Sequence, residues 1–316
     1  MALDFEKPLE EIESRIAELR RLNEKSDADF DTEIAALEKK LRSTSKRVYS
    51  RIGSWETVQI ARHAERPLLR DYIAGLCSEF LELHGDRCFG DDQGIIGGFA
   101  TLRQHRVMII GHQKGKTVEE KIKANFGMAS PDGYRKAMRL MNLAAKYKLP
   151  IVSFIDTPGA YPGLEAEARG QAEAIARNLT EMSKLPVPVI VVVTGEGGSG
   201  GAIGIGVGNV VLMLSNAVYS VISPEGCAAI LWRDKEKAPE AAAALKITAE
   251  DLTKLGIVDE IIPEPTGGAH RNAEGTIETV GDTIVKHLRR LKRMSARRLI
   301  DQRYDKYSKI GRFKKK

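Results

Sequence analysis

The chain has 316 residues, 42% hydrophobic and 29% charged, which suffices for one large core and does not fit a disordered or membrane class. Its start, MALDFEKPLEEIE, is acidic where a secretory leader needs a basic flank and an apolar run, and no stretch approaches about 18 uninterrupted apolar residues, so a soluble cytoplasmic protein is expected. Cys77, Cys88 and Cys227 are too few and too scattered for a disulfide framework or a cysteine zinc site, leaving buried thiols and no metal in this chain as the expectation.

Leu9, Ile12, Ile16, Leu19 and Leu22, then Phe30, Ile34, Leu37 and Leu41, recur at spacings of three and four, the stripe of an amphipathic helix in each case. Ser26, Asp27, Ala28 and Asp29 between them offer turn and N-cap side chains, so residues 1–54 read as an antiparallel helical hairpin. Whether that hairpin merely packs or meets a partner stays open. After Trp55 and a helix-like stretch from Tyr72 to Leu83, β-rich apolar runs appear at Ile95–Leu102, Val107–Ile110, Ile151–Ile155, Val189–Val193 and Val218–Ile222. Several are apolar almost throughout, as strands buried on both faces are. Helical patterns at Pro131–Tyr147 and Leu164–Lys184 separate the later ones, giving the β-α-β alternation of a layered α/β domain.

The net charge of +6 is uneven. Residues 286–316 hold 14 Lys or Arg against Asp301 and Asp305, a net +12, so the first 285 residues carry −6. Thr279–Ile300 reads as a basic helix and Tyr304–Lys316 as a frayed, solvated tail, with attraction to coenzyme A phosphates, an acidic protein or nucleic acid as the alternative.

The segment Val187–Asn209, VPVIVVVTGEGGSGGAIGIGVGN, carries the most chemistry. A buried strand runs into Gly195, Gly197, Gly198, Gly200 and Gly201, five glycines in seven positions, and then into a small-residue helix. Glycines let backbone amides approach a ligand closely, and amides that open a helix point outward unpaired, which together make an anion hole. Ser199 sits in a G-x-S-x-G pattern with His270 later in the chain, the spacing of a serine nucleophile, although a helix N-cap is the simpler role for it. Gly115-Lys116-Thr117 imitates the end of a phosphate loop, but Ile110 stands where its first glycine is required. Asp156, Thr157, Pro158, Gly159, Ala160 and Tyr161 open the stiff loop DTPGAYPG at a strand's carboxyl end, where ligands collect in α/β sheets, and are candidates for substrate binding.

Taken together, IGHQKG (110–115), NFGM (125–128), P-x-GYRKA (131–137), FIDTPGAYPG (154–163), ARGQAEAIARNL (168–179), GEGGSGGA (195–202), YSVISPEGCA (219–228) and IIPEPTGGAHRN (261–272), with Ala61-Arg62-His63 and Arg66-Pro67, resemble the carboxyltransferase α subunits of bacterial acetyl-CoA carboxylase. The resemblance runs from the hairpin to about Asn272; the C-terminal region and Ala168, where the family often has an acid, depart from it. It implies an α/β fold of the ClpP/crotonase type built from ββα units over 55–285, followed by the basic end at 286–316. It implies an α2β2 enzyme whose β subunit carries a zinc ribbon, served by biotin carboxylase and a biotin carboxyl carrier protein. It also implies that Gly200 and Gly201 supply an oxyanion hole facing biotin, with Gly197 and Gly198 shaping the loop. The cofactor implied is carboxybiotin on that separate carrier, with a coenzyme A thioester as substrate. No biotinyl-lysine motif and no intact ATP loop occur in the sequence, so the chain is expected neither to carry biotin nor to use ATP.

Overall fold

A computed structural model describes residues 3–24 and 30–311. Helices α1 (Lys7–Asn23) and α2 (Asp31–Tyr49) form the expected pair, closed by Ile12, Ile16, Leu19 and Ile34 with Phe30, Leu37 and Leu41 against them. The turn residues Ser26, Asp27, Ala28 and Asp29 lie outside the described residues. Arg271 holds the pair to the body through Glu13 at 3.0 Å and Glu6 at 3.5 Å.

The body follows as α3 (Ser54–Ala61), α4 (Leu69–Leu76), β1 (Cys77–Glu82), β2 (Ile95–Leu102), β3 (His105–His112), α5 (Val118–Lys123), α6 (Pro131–Lys146) and β4 (Ile151–Thr157). Then come α7 (Leu164–Ala168), α8 (Gln171–Lys184), β5 (Val189–Gly198), α9 (Ser199–Ile203), β6 (Val210–Leu214), β7 (Val218–Ser220), α10 (Pro224–Trp232), α11 (Ala238–Leu245), α12 (Ala249–Lys254) and β8 (Glu260–Ile262). The chain closes with α13 (Ala273–Leu291) and α14 (Ala296–Ser308). The sheet order is β1-β2-β3-β4-β5-β6-β8, antiparallel through β3 and parallel beyond it, and β7 pairs with the far end of β5. β4 is buried along its whole length and β5 up to Gly197, which is why both read as unbroken apolar runs.

Of the three expected buried thiols only Cys227 is buried, Cys77 being half-buried and Cys88 exposed, and five further expectations are corrected. The Tyr72–Leu83 stretch is helical only to Leu76, because β1 then takes up the edge of the sheet beside β2. The last expected strand is shorter, Val218–Ser220, while β6 and β8 were not anticipated. Leu164–Lys184 is two helices, broken where Gly170 adopts φ 82°. The basic helix is likewise two, with Ser295 capping the second by accepting from the Arg298 amide. The end is not frayed as far as it is described. Arg303 is fully buried and donates to the carbonyls of Met182 (2.6 Å), Leu185 (3.0 Å) and Val187 (3.1 Å) and to Asn209 Oδ1 (2.8 Å). The Tyr307 hydroxyl donates to the Gly206 carbonyl and accepts from the Gly208 amide.

Candidate active site

The site forms where β5 changes partners. Ile190–Val193 pair with β6, whereas Glu196–Gly198 pair with β7, and opposite β4 the register jumps from Ile155↔Val193 to Thr157↔Gly197. The strand therefore bulges across Thr194–Glu196 and splays from β6, opening a cleft at its carboxyl end. Gly195, Gly197 and Gly198 belong to the strand, and only Gly200 and Gly201 to the short helix α9.

The loop after β4 lies directly against this turn. A Cβ on Gly198 would sit 2.1 Å from the Pro158 carbonyl oxygen, and one on Gly201 would sit 2.5 Å from the Gly159 carbonyl carbon. No real side chain tolerates either approach, so these two glycines are fixed by backbone packing. Gly200 differs, since its nearest obstacle is Ile175 Cδ1 at 3.4 Å. Thr157 ties its own loop, its hydroxyl donating to the Gly159 carbonyl (2.7 Å) and accepting from the Gly159 amide (3.1 Å). Among the described residues, the amides of Gly200 and Gly201 make no backbone hydrogen bond outside α9, and α9 holds no acceptor for them, as expected of the opening residues of a helix.

Ser199 is not the N-cap. Gly198 holds that position without a side-chain bond, and Ser199 opens the helix at φ 50°, a conformation an L-residue adopts only under local constraint. No histidine is bonded to it. His270 instead stacks on His63 with ring centroids 3.8 Å apart, and burial, followed by the charge of His63, pushes its pKa down to about 4. The Gly115-Lys116-Thr117 segment is a helix start: Thr117 accepts from the Glu120 amide, the Glu120 carboxylate accepts from the Lys116 amide, and Lys116 pairs with Asp71 at 2.6 Å.

Behind the glycine turn lies a charge cluster that the sequence did not single out. Lys114, at the end of β3, bonds Asp156 Oδ1 at 2.7 Å and Glu196 Oε2 at 2.9 Å. Arg62 holds the other Glu196 oxygen at 2.6 Å and reaches Glu225 on α10. Asp156 Oδ1 also accepts the Glu196 amide at 2.9 Å. One ammonium thus ties the loop after β4 to the glycine end of β5. Burial alone would lower the Lys114 pKa, but Asp156 and Glu196 outweigh it and the pKa is raised; burial would raise Glu196, but Lys114 and Arg62 hold it low. His112, nearby on β3, is driven down to about 3 by burial and then by Lys114, so it is neutral. Deeper still, Arg66 pairs with buried Glu264 at 2.7 Å and donates to the Thr194 carbonyl at 2.7 Å, holding the β5 bulge.

In front of the turn a pocket of about 400 Å³ opens, with Ser199 and Gly200 on one side and Tyr219, Leu252 and Ile257 among its apolar walls. Asp156 and Glu196 are turned into the cluster behind, while Gly200 faces the pocket. Among the described residues, no group of His, Cys, Asp or Glu is arranged to hold a metal ion, and no helix is long and apolar enough to cross a membrane.

A sheet whose strand β5 ends in closely packed glycines, beside an apolar pocket, gives the chain a crotonase-like fold. Solved structures agree on the fold. Transcarboxylase 12S, with methylmalonyl-coenzyme A and methylmalonic acid bound, aligns at TM-score 0.55 and 22% identity over 72% of this chain and 44% of its own. The β subunit of P. aeruginosa geranyl-CoA carboxylase aligns at 0.53 and 17% over 73% and 44%. This chain thus spans less than half of either. The sequence matches the acetyl co-enzyme A carboxylase carboxyltransferase-like family over residues 2–311, and the chain belongs to that family. It is 55% identical over 311 residues to the acetyl-coenzyme A carboxylase carboxyl transferase subunit alpha of Anoxybacillus flavithermus, covering 98% of this chain and 96% of that one. The subunit of the same name from Geobacter metallireducens is 52% identical over 311 residues, covering 98% of each.

Proposed function

We propose that this chain is the α subunit of a cytoplasmic acetyl-CoA carboxylase carboxyltransferase. It transfers a carboxyl group from carboxybiotin, borne by a separate biotin carboxyl carrier protein, to acetyl-CoA, forming malonyl-CoA at the first committed step of fatty acid biosynthesis. Identity above 50% along nearly the whole of its relatives supports this reading. The single structural observation behind the site assignment is the packing of Gly198 and Gly201 against Pro158 and Gly159 at the start of α9, where the Gly200 and Gly201 amides have no bond outside the helix and Gly200 lines the pocket.

A fused ring carrying one urea oxygen suits that pocket, whose walls are largely apolar and which the Gly200 backbone lines. Carboxybiotin supplies the carboxyl group: its N–C bond breaks, a C–C bond to the acetyl methyl forms, and the methyl proton ends on the urea. The amides of Gly200 and Gly201 stabilise negative charge at the urea oxygen, each such donor being worth about 10²- to 10³-fold in turnover. Gly197 and Gly198 shape the turn, and the loop Asp156, Thr157, Pro158, Gly159, Ala160 and Tyr161 backs it, Asp156 through Lys114 rather than by touching substrate. A zinc-ribbon β subunit in an α2β2 assembly completes the site with a second hole for the thioester oxygen. Residues 1–54 and 286–316 flank this catalytic part, and biotin carboxylase recharges the carrier.

The test is malonyl-CoA-dependent carboxylation of biocytin by this chain alone and co-expressed with a zinc-ribbon β subunit. Activity only in the co-expressed sample is expected. A folded complex without activity would overturn the assignment.

A further inference from the structure

The pocket beside the glycine turn contains one charged side chain that nothing above uses. Its walls include Ile203, Tyr219, Val221, Leu252, Leu255 and Ile257, and among the described residues Lys246 is the only charged one lining it. Among the described residues, no carboxylate lies within salt-bridge distance of Lys246 and no hydrogen bond to its ammonium is formed. Lys246 is exposed, and a cation beside apolar walls without a protein partner suits a ligand that brings its own negative charge.

The position of Lys246 is fixed by the same strand that aligns the glycines. Tyr219 donates its amide to the Ile247 carbonyl at 3.0 Å, and Val218 bridges Thr248, so the segment after α11 lies along one edge of β7. The other edge of β7 pairs with Glu196, Gly197 and Gly198. Lys246 is therefore one strand away from the turn, on a hydrogen-bonded frame rather than a free loop. It caps α11 in the left-handed conformation at φ 55°, where glycine is the favoured residue, so a lysine there carries a conformational penalty that a ligand role would explain.

We infer that Lys246 binds the transferable carboxylate of the carboxylated biotin group, so that the pocket distinguishes the charged carrier from the uncharged one. This rests on the carboxyltransferase reading above. The Gly200 and Gly201 amides meet the urea oxygen, the apolar walls meet the ring, and the Lys246 ammonium meets the carboxylate. When the carboxylate leaves with the acetyl group, the ammonium loses its counter-ion and the emptied carrier is released.

Binding of the αβ complex to immobilised carrier protein, without acetyl-CoA so that no transfer occurs, tests this directly. Three carriers serve: apo, biotinylated, and biotinylated with the carboxyl group maintained by biotin carboxylase, ATP and bicarbonate. The wild type is expected to prefer the carboxylated carrier over the biotinylated one by about tenfold or more, the worth of one charge-assisted hydrogen bond. Lys246→Met keeps length and backbone and should lose that preference while binding biotinylated carrier as the wild type does; Lys246→Arg should retain it. A wild type that does not distinguish the two biotinylated carriers, or a Lys246→Met variant that keeps the ratio, overturns the inference. Equal binding of apo and biotinylated carrier would instead bring down the biotin reading on which it rests.

Discussion

Replacing Lys114 by Met removes the ammonium that Asp156 and Glu196 share while roughly preserving side-chain volume. The two carboxylates, 10% and 12% exposed, are then left facing one another, with only Arg62 on the far side of Glu196. Removing one partner of a buried pair destabilises by about 3–5 kcal/mol. That is within a typical fold's total of about 5–15 kcal/mol, so the chain should still fold, with a Tm lower by roughly 6–10 °C. The pH dependence carries the sharper test. Glu196 has a depressed pKa, so its contribution is present above its unfolded value and lost as pH falls through the folded one. Lys114 has a raised pKa, so its contribution is present below its unfolded value and lost only as pH rises beyond it. Without Lys114 the carboxylates take up protons more readily, and the deficit against wild type should be largest near neutrality and shrink toward pH 4–5. Lys114→Met combined with Glu196→Gln should recover part of the loss. Urea denaturation followed by circular dichroism from pH 4.5 to 8 measures all of this. A deficit below about 1 kcal/mol, or one that does not vary with pH, would show that pairing is not what holds the two loops together.

The glycines of the turn should separate by packing. Gly201→Ala drives a methyl into the Gly159 carbonyl and should lower transfer by about 10²-fold or more, whereas Gly200→Ala has 3.4 Å of clearance and should lose less than about tenfold, as read by kcat of the complex. Equal losses in the two would disprove the packing distinction. Ser199→Ala should retain turnover within about threefold, since nothing bonds Ser199 as a nucleophile; loss on the scale of Gly201→Ala would revive a covalent mechanism. Arg303→Met leaves the carbonyls of Met182, Leu185 and Val187 without their donor and should destabilise by about 3 kcal/mol or more in denaturant titration, an outcome incompatible with a solvated tail.

What the sequence made legible were the features set by single segments. β4 and the first half of β5 announce themselves because both faces are buried, and the glycine turn announces itself because five small residues in seven positions have few other uses. What stayed hidden depends on distant partners. Cys77–Glu82 continues a helical pattern, yet an antiparallel neighbour in β2 was available and took it into the sheet. Val210–Leu214 drew no assignment from the sequence, and the pairing of β5 and β8 on either side is what makes it a strand. Lys114, Arg62 and Glu196 were on the page inside motifs, but one lysine, one arginine and one glutamate have no signature until 134 residues of chain bring Arg62 to Glu196. Arg303 was counted with a basic tail because nothing local told it apart from the exposed cations around it.

These hidden charges explain how the visible glycines can work. A turn rich in glycine is freer when unfolded and has fewer side chains to pin it, each such position giving up roughly 0.5–1 kcal/mol relative to alanine. An amide that must meet a developing charge cannot be left mobile, because preorganisation is what makes the donor effective. The fold resolves the conflict by placing the rigid contacts one layer back: Glu196 sits within the glycine segment and Asp156 at the end of β4 beside it, and Lys114, just after β3, and Arg62, at the end of α3, lock them. Hydrophobic packing could not do the same work there, since Gly195 already has Asp156 Oδ1 at 2.4 Å from where a Cβ would be. With no room for a side chain at Gly195, Gly198 or Gly201, directional hydrogen bonds from neighbouring residues are the remaining means of fixing the backbone there.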